Sequence, residues 1–353
     1  MSLHAISISG RTISPQHPPY IIAEISANHN GSLDRALAIL EMAQKAGADA
    51  IKLQTYSADT MTIDADGPDF QIDTGGLWDG QTLHQLYSKA YMPWEWHEPL
   101  FARAKELGIT IFSTPFDFTA VDLLESLGAP AYKIASFELI DLPLIRRVAQ
   151  TGKPMIISTG LANEREIAEA VACARQNGCQ ELVVLHCVSG YPAPAADYNL
   201  RTIPDIACRF GVLAGLSDHT IDNATSLAAV ALGACVIEKH VTLDRKGGGP
   251  DDSFSLEPAE LAALCRDAKT AWSALGSASY HLKGSEAANI KFRRSLYVIK
   301  DIKAGDLITT ENVRSIRPGF GLPPKYYDAI LGKAVNRNLA SGTALNWEQL
   351  DDR

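Results

Sequence analysis

No apolar run in this 353-residue chain approaches the roughly 18 residues that a membrane-spanning helix needs, so nothing in it reads as a membrane segment. The start, MSLHAISISGRTISPQ, alternates like a strand and lacks both the basic opening and the apolar core of a secretory leader. Cytoplasmic residence is the expectation. Cysteine is sparse: Cys173, Cys179, Cys187, Cys208, Cys235 and Cys265 are scattered, with no C-x-x-C pair among them. That argues against a disulfide framework or a thiolate zinc site and leaves them as small core residues. Basic residues are outnumbered, 32 against 41 acidic, and the net charge of −9 disfavours a nucleic-acid partner. The deficit is uneven, since residues 1–284 carry 21 basic and 33 acidic residues and residues 285–353 carry 11 and 8. A mildly basic appendage behind an acidic body could help close over an anion-filled site.

What is present is a repeat. From residue 20 to about 275, short β-branched runs alternate with helical segments, as in a parallel sheet covered by helices. The runs are 20–26, 49–55, 109–114, 131–136, 154–159, 182–188, 211–217 and 235–240. Helices are expected at 32–47, 97–107, 119–127, 142–151, 164–177, 220–233 and 257–275; the first has Leu33, Leu37, Leu40 and Ala43 on one face, Ser32 as N-cap and Gly47 as terminator. Eight runs favour closure into a (β/α)8 TIM barrel, an α/β fold, over an open sheet. Residues 1–19 read as a β-hairpin turning at Gly10-Arg11 that plugs the barrel's bottom. Residues 56–96 are a long connection containing Phe70, Trp78, Tyr87, Trp94 and Trp96, too aromatic for disorder and placed after strand two, hence over the mouth. The barrel domain is therefore set at 1–276, a polar linker at 277–290, and a small β-rich module punctuated by Gly and Pro at 291–353.

Polar residues end nearly every run: Glu24, Lys52 and Gln54, Lys133 and Ser136, His186, Ser217 and His219, Lys239 and His240. In a closed parallel barrel the C-terminal strand ends meet at one mouth, so these residues are expected to converge on one ligand. His186, a lone imidazole, reads better as a hydrogen-bonded structural residue. His219 and His240, on adjacent strands and flanked by Asp218, Glu238 and Lys239, read as a two-imidazole metal site. No third protein ligand is evident, which suits Mn²⁺ or Mg²⁺ better than structural zinc. Lys52 and Lys133 are anion clamps or, alternatively, Schiff-base amines; Ser136 and Ser217 beside them favour phosphate or carboxylate recognition. The glycine loop GGGPDDSF (247–254) carries Asp251 and Asp252, which suit sugar hydroxyls.

The strings AEISANHNGS (23–32), IKLQTY (51–56), YKIASFE (132–138), STG (158–160), GLSDHT (215–220), IEKHVTLDR (237–245), GGPDDSFSLEP (248–258) and RPGFG (317–321) resemble the sialic acid synthase family in order and over almost the whole chain. That family condenses phosphoenolpyruvate with an amino-sugar to make nine-carbon 2-keto acids. The tail resembles its antifreeze-like (SAF) domain. SANHNGS, PWEWH (93–97) and FELIDLPLI (137–145) are closest to the family's pseudaminic acid branch, while Ser26-Ala27 and Leu53 depart from the neuraminate wording. The acceptor implied is 2,4-diacetamido-2,4,6-trideoxy-L-altrose, with N-acetylmannosamine or the corresponding trideoxymannose as runner-up. The resemblance assigns phosphoenolpyruvate contacts to Lys52, Lys133, Ser136, Ser217 and His219, metal ligation to His219 and His240, and sugar contacts to Gln54, Glu138, Tyr191, Asp251 and Arg317. Ser189 stands where many neuraminate synthases have asparagine. Glu24 and Glu138 are both candidates for the general base. Arg317 in that family reaches the other subunit's site, which implies a domain-swapped homodimer. Two readings of other classes remain: a pyruvate aldolase acting through Lys52 or Lys133, and an ice- or carbohydrate-binding protein acting through the module.

Overall fold

The computed structural model describes residues 4–73 and 75–351 and divides into two units, Met1–Gly276 and Ser277–Arg353. The first opens with a hairpin, β1 (Ile6–Ile8) and β2 (Arg11–Ile13). Its turn falls one residue earlier than expected, at Ser9-Gly10, because these two take the left-handed backbone that a tight two-residue hairpin requires (φ 48° and 81°) while Arg11 pairs with Ile8.

Eight strands follow: β3 (Tyr20–Glu24), β4 (Ala50–Thr55), β5 (Thr110–Pro115), β6 (Tyr132–Ile134), β7 (Met155–Ser158), β8 (Leu182–Cys187), β9 (Leu213–Asp218) and β10 (Val236–His240). They pair in parallel, each with the next, and β10 closes on β3. The fold is thus a closed (β/α)8 TIM barrel. Its crossovers are α1 (Leu33–Ala46), then α2 (Ala58–Met61), α3 (Leu83–Ala90) and α4 (His97–Leu107) between β4 and β5, then α5 (Phe118–Ser126), α6 (Leu142–Ala149), α7 (Glu164–Gln176), α8 (Thr202–Phe210), α9 (Ala224–Ala231) and α10 (Pro258–Leu275). The sequence pattern missed α8, whose Pro204 sits in the first turn where a missing N–H costs nothing, and α2 and α3, which lie inside the 56–96 excursion. Among the described residues no helix is long and apolar enough to cross a membrane.

Alternation along the strands sorts side chains into two cores. Ile21, Ile51, Leu53, Val184, Leu216 and Ile237 point outward and pack with the helices. Tyr20, Ile22, Ala50, Phe112, Ile156, Val183, Leu185, Leu213 and Val236 point inward, and Ile6, Ile8 and Ile13 of the hairpin join this inner cluster. All but Leu185 fall within the first three residues of their strands, so the hairpin caps the barrel's lower end and the upper end is left to polar residues.

The second unit's first helical element is a 3₁₀ stretch, Gly284–Phe292, which starts within the segment read as linker and runs two residues past it. It continues with the antiparallel pair β11 (Ser295–Val298) and β12 (Val313–Ile316), the short helix α11 (Tyr327–Ile330) and isolated bridges such as Ile302 with Leu339. Leu296, Val298, Ile308, Val313, Val335 and Leu345 form its core. Gly321 of the RPGFG string is required there, since a Cβ would lie 2.4 Å from the Leu296 carbonyl oxygen.

Candidate functional site

The inward positions at the upper strand ends line one cavity of about 410 Å³. Lys52, Gln54, Lys133, Ser136, Glu138, Tyr191, Ser217, His219, His240 and Asp251 all face it. Its floor is ionic. Lys52 Nζ lies 3.0 Å from Glu238 Oε1, Lys133 Nζ 3.8 Å from the same oxygen, and Ser217 Oγ donates to it at 3.3 Å. Burial pulls the Lys52 ammonium down to about 8, partly offset by the Glu238 charge. Burial works against Glu238 ionising too, but Lys133 and Lys52 outweigh it and hold the carboxyl below its ordinary range. Among the described residues Lys133 otherwise donates only to the Ile134 carbonyl at 3.1 Å, so its charge is poorly neutralised by them and available to an anion.

Glu238 was missed as a site residue because it reads as a flanking charge. The signal was present: Val236, Glu238 and His240 alternate with Ile237 and Lys239, so Glu238 must share the face of His240. Ser158 was missed likewise; its hydroxyl is buried at the cavity without a hydrogen-bond partner.

The same alternation corrects the expectation that all strand-end polar residues share one site. Lys239 points outward and donates to Asp218 Oδ2 at 3.1 Å and to the carbonyls of Thr220 and Asp222 at 2.6 and 2.8 Å, a buried structural pair under the helices. Asp218 also accepts from Ser226 Oγ and Thr220 Oγ1. His186 likewise points outward and bonds the Tyr198 carbonyl. Asp252 turns from the cavity to anchor its own loop, accepting from Asn30 at 2.9 Å, Gly249 N at 2.8 Å and Arg35 at 3.3 Å. Only Asp251 of that pair faces inward. It accepts from Ser26 Oγ, which in turn accepts from Gln54 Nε2 at 3.1 Å, and burial raises its carboxyl. Ser26 holds a left-handed backbone (φ 49°), the kind of local strain that persists where the surroundings over-determine it.

The imidazoles of His219 and His240 stand 5.4 Å apart, centre to centre. His219 Nδ1 is 2.8 Å from the Val188 carbonyl, to which it must donate, so Nε2 keeps the lone pair in the neutral ring. Burial and the charges of His219, Lys52 and Lys133 push His240 well below the ordinary imidazole range, leaving it neutral, and its Nδ1 is buried with no hydrogen-bond partner. Tyr191 and Phe254 pack on His240 at 6.3 and 5.3 Å. Burial opposes charge on His219, but Cys187, the Val188 carbonyl and Glu238 hold its ring above the ordinary imidazole range; a cation would displace that proton and take the Nε2 lone pair together with the orphaned nitrogen of His240, its remaining positions going to oxygen donors. Among the described residues no group of three or more His, Cys, Asp or Glu closes around one point, so protein alone would not fill its shell.

Cys187, expected to be inert core, lines the cavity with Sγ 4.0 Å from His219 Nδ1. Burial alone would raise this thiol, but the His219 charge and hydrogen bonding bring it down to about 7.

Glu138 lies on the loop after β6. Burial pushes its carboxyl up to about 7 against the lowering effect of Lys133, and its Oε2 is buried without a partner. Glu24 differs: it pairs with Lys52 and accepts from Ser26 N at 2.7 Å, and it does not line the cavity. Ser136 Oγ accepts from Gly160 N at 3.0 Å; the Ser189 hydroxyl, buried without a partner, comes so near Gly160 that a Cβ there would lie 2.1 Å from it. Arg317 belongs to the second unit, exposed just after β12.

Against known proteins, a profile described as "NeuB family" matches residues 39–280 and one described as "SAF domain" matches residues 293–351. A pseudaminic acid synthase of Campylobacter jejuni is 45% identical over 326 residues, covering 92% of this chain and 95% of that protein. A pseudaminic acid synthase of Helicobacter pylori is 41% identical, covering 95% and 98%. The solved N-acetylneuraminic acid synthetase of Leptospira borgpetersenii, in complex with citrate, superposes with a TM-score of 0.73 at 31% identity over 82% of this chain and 96% of that one.

Proposed function

The chain belongs to the NeuB family with a SAF domain behind its barrel, and on that footing we propose that it condenses phosphoenolpyruvate with 2,4-diacetamido-2,4,6-trideoxy-L-altrose, releasing phosphate and forming the nine-carbon 2-keto acid pseudaminic acid. The observation that carries the reading is the cavity floor, where buried Lys52 and Lys133 share Glu238, with Glu24 on Lys52 as well, beside two imidazoles. Glu24 and Glu238 both pair with Lys52, whereas among the described residues Lys133 comes no closer to a carboxylate than 3.8 Å, so its charge is the one left to an entering phosphate or carboxylate.

Lys52 and Lys133 receive those two anionic groups, with Ser136 and Ser217 as hydroxyl donors. Gln54, Asp251 and Tyr191 orient the sugar above them. The methylene carbon of phosphoenolpyruvate attacks the aldehyde carbon, and the carbonyl oxygen needs a proton as the C–C bond forms. Glu138, poised near 7, gives it. Water then adds at the phosphate-bearing carbon, left cationic by the attack; Glu138, now a carboxylate, takes one of its protons, and the C–O bond to phosphate breaks, the remaining hydroxyl proton leaving with the phosphate as the ketone forms. Glu24 is less suited, being tied to Lys52 beneath the floor. His219 and His240 would hold Mn²⁺ or Mg²⁺, which when bound supplies Lewis-acid polarisation of the aldehyde. The working form proposed is a domain-swapped homodimer in which Arg317 of the partner subunit completes the sugar site; exposed Phe137 and Leu161 on the barrel rim, 56% and 76% accessible, favour a covered mouth.

Phosphate release from phosphoenolpyruvate and Mn²⁺ across the trideoxy sugars and N-acetylmannosamine tests the reading. Turnover with the altro sugar and its abolition by EDTA are expected. No phosphate with any amino-sugar, or a borohydride-trapped adduct on Lys52 or Lys133, would overturn it. Bound metal measured on His240→Ala should fall with activity.

A further inference from the structure

The cavity has two unlike walls. The strand ends give it a charged floor, whereas the excursion after β4 gives it an apolar wall: Met61, Ile72, Leu83 and Leu86 line it. Ile72 and Leu86 are each only 9% exposed.

This wall is a built structure. Gln71 and Thr82 bridge antiparallel, Ile72 N donates to the Gln81 carbonyl at 3.0 Å, and Thr82 and Gln85 form a capping box at the start of α3. Several polar groups of the segment are spent on holding it together. The Thr82 hydroxyl accepts from Gln85 N at 3.2 Å, His84 Nε2 meets Asp59 at 3.0 Å, and the Trp78 indole N–H donates to the Pro250 carbonyl at 3.2 Å, tying the segment to the last loop of the barrel. Tyr87 alone in α3 brings a hydroxyl to the cavity, and it sits within electrostatic reach of Glu138, toward the reacting end.

We propose that this apolar wall reads the end of the acceptor farthest from its aldehyde, and that Ile72 and Leu86 select a sugar ending in a methyl over one ending in a hydroxymethyl group. The inference rests on the function proposed above and names the part of the site that chooses the acceptor. Phosphoenolpyruvate occupies the lysine floor and the aldehyde lies by Glu138 and the imidazoles. The far carbon of a six-carbon open chain then extends toward the excursion. A methyl there displaces water from apolar surface, whereas a hydroxyl loses its water partners and finds none in Met61, Ile72, Leu83 or Leu86.

The test compares 2,4-diacetamido-2,4,6-trideoxy-L-altrose with the same sugar bearing a 6-hydroxyl, so that one oxygen is the only variable. The wild type is expected to favour the deoxy sugar by about 10–100-fold in kcat/KM. Leu86→Gln, and separately Ile72→Thr, should cut that ratio about tenfold while leaving the KM for phosphoenolpyruvate unchanged. Equal losses on both sugars in both variants, or a wild-type ratio near one with good turnover, would overturn the inference and leave the proposed function standing. A wild type that turns over neither sugar would remove both.

Discussion

Replacing Glu138 by glutamine separates proton chemistry from fold, because the two effects have opposite signs. Burial raises the carboxyl from its ordinary 4.5 to about 7. A raised carboxyl means that the folded state binds more protons than the unfolded chain between those values. Stability is therefore fully present below 4.5 and declines as pH rises toward 7. A shift of about 2.5 units at about 1.36 kcal/mol each sets a ceiling of about 3 kcal/mol on this loss. Glu138→Gln keeps the shape without the charge, so its advantage over wild type should grow from nothing at pH 4.5 to as much as about 3 kcal/mol at pH 8. For a unit spanning Met1–Gly276, an unfolding entropy near 2.1 cal/mol/K per residue turns that into about 5 °C of melting temperature. The activity should move the other way, with kcat down about 10²–10⁴-fold and the alkaline limb of wild-type kcat/KM near pH 7 abolished. Calorimetry from pH 5 to 8, run beside phosphate release, measures both. A stability gain that is absent or independent of pH would refute the burial argument. Full activity would refute the proton role.

Gly160→Ala should raise the KM for phosphoenolpyruvate at least tenfold with little change in melting temperature, because the new methyl would lie 2.1 Å from Ser189 Oγ and 2.9 Å from Ser136 Oγ and must displace hydroxyls from the anion site; an unchanged KM would place the phosphate elsewhere. Lys239→Ala should cost about 3–5 kcal/mol in urea denaturation by leaving Asp218 buried and unpaired, while the folded fraction keeps its KM values. Arg317→Ala should raise the sugar KM with the fold intact. Mixing it with Lys52→Ala should restore activity, since a swapped heterodimer contains one complete site; no restoration would count against the swap.

Eight β-branched runs at regular spacing made the barrel legible, because buried parallel strands must be apolar on both faces and few other residues can fill them. Glu24, Lys52, Lys133, Ser217, His219 and His240 were legible for the same reason, standing out as costly groups where apolar ones were expected. Proximity of strand ends did not fix orientation. One residue's difference in position along the strand sends Lys239 into the helical layer and Glu238 into the cavity, though the two are neighbours in the chain and both charged. Asp251 and Asp252 part in the same way on the glycine loop. The thiol of Cys187 became more than core only once His219 was placed beside it.

The chain's own pattern determined the architecture and the chemical character of the mouth, because periodicity and the cost of burying charge act locally and can be read in order. Folding alone decided which carboxylate Lys52 and Lys133 share, which glutamate stands free with a raised pKa, and that Met61, Ile72, Leu83 and Leu86 line the same cavity as the lysines. Those features depend on side chains far apart in sequence meeting in a low-dielectric space, where distance and burial set their energies, and neither quantity exists until the barrel has closed.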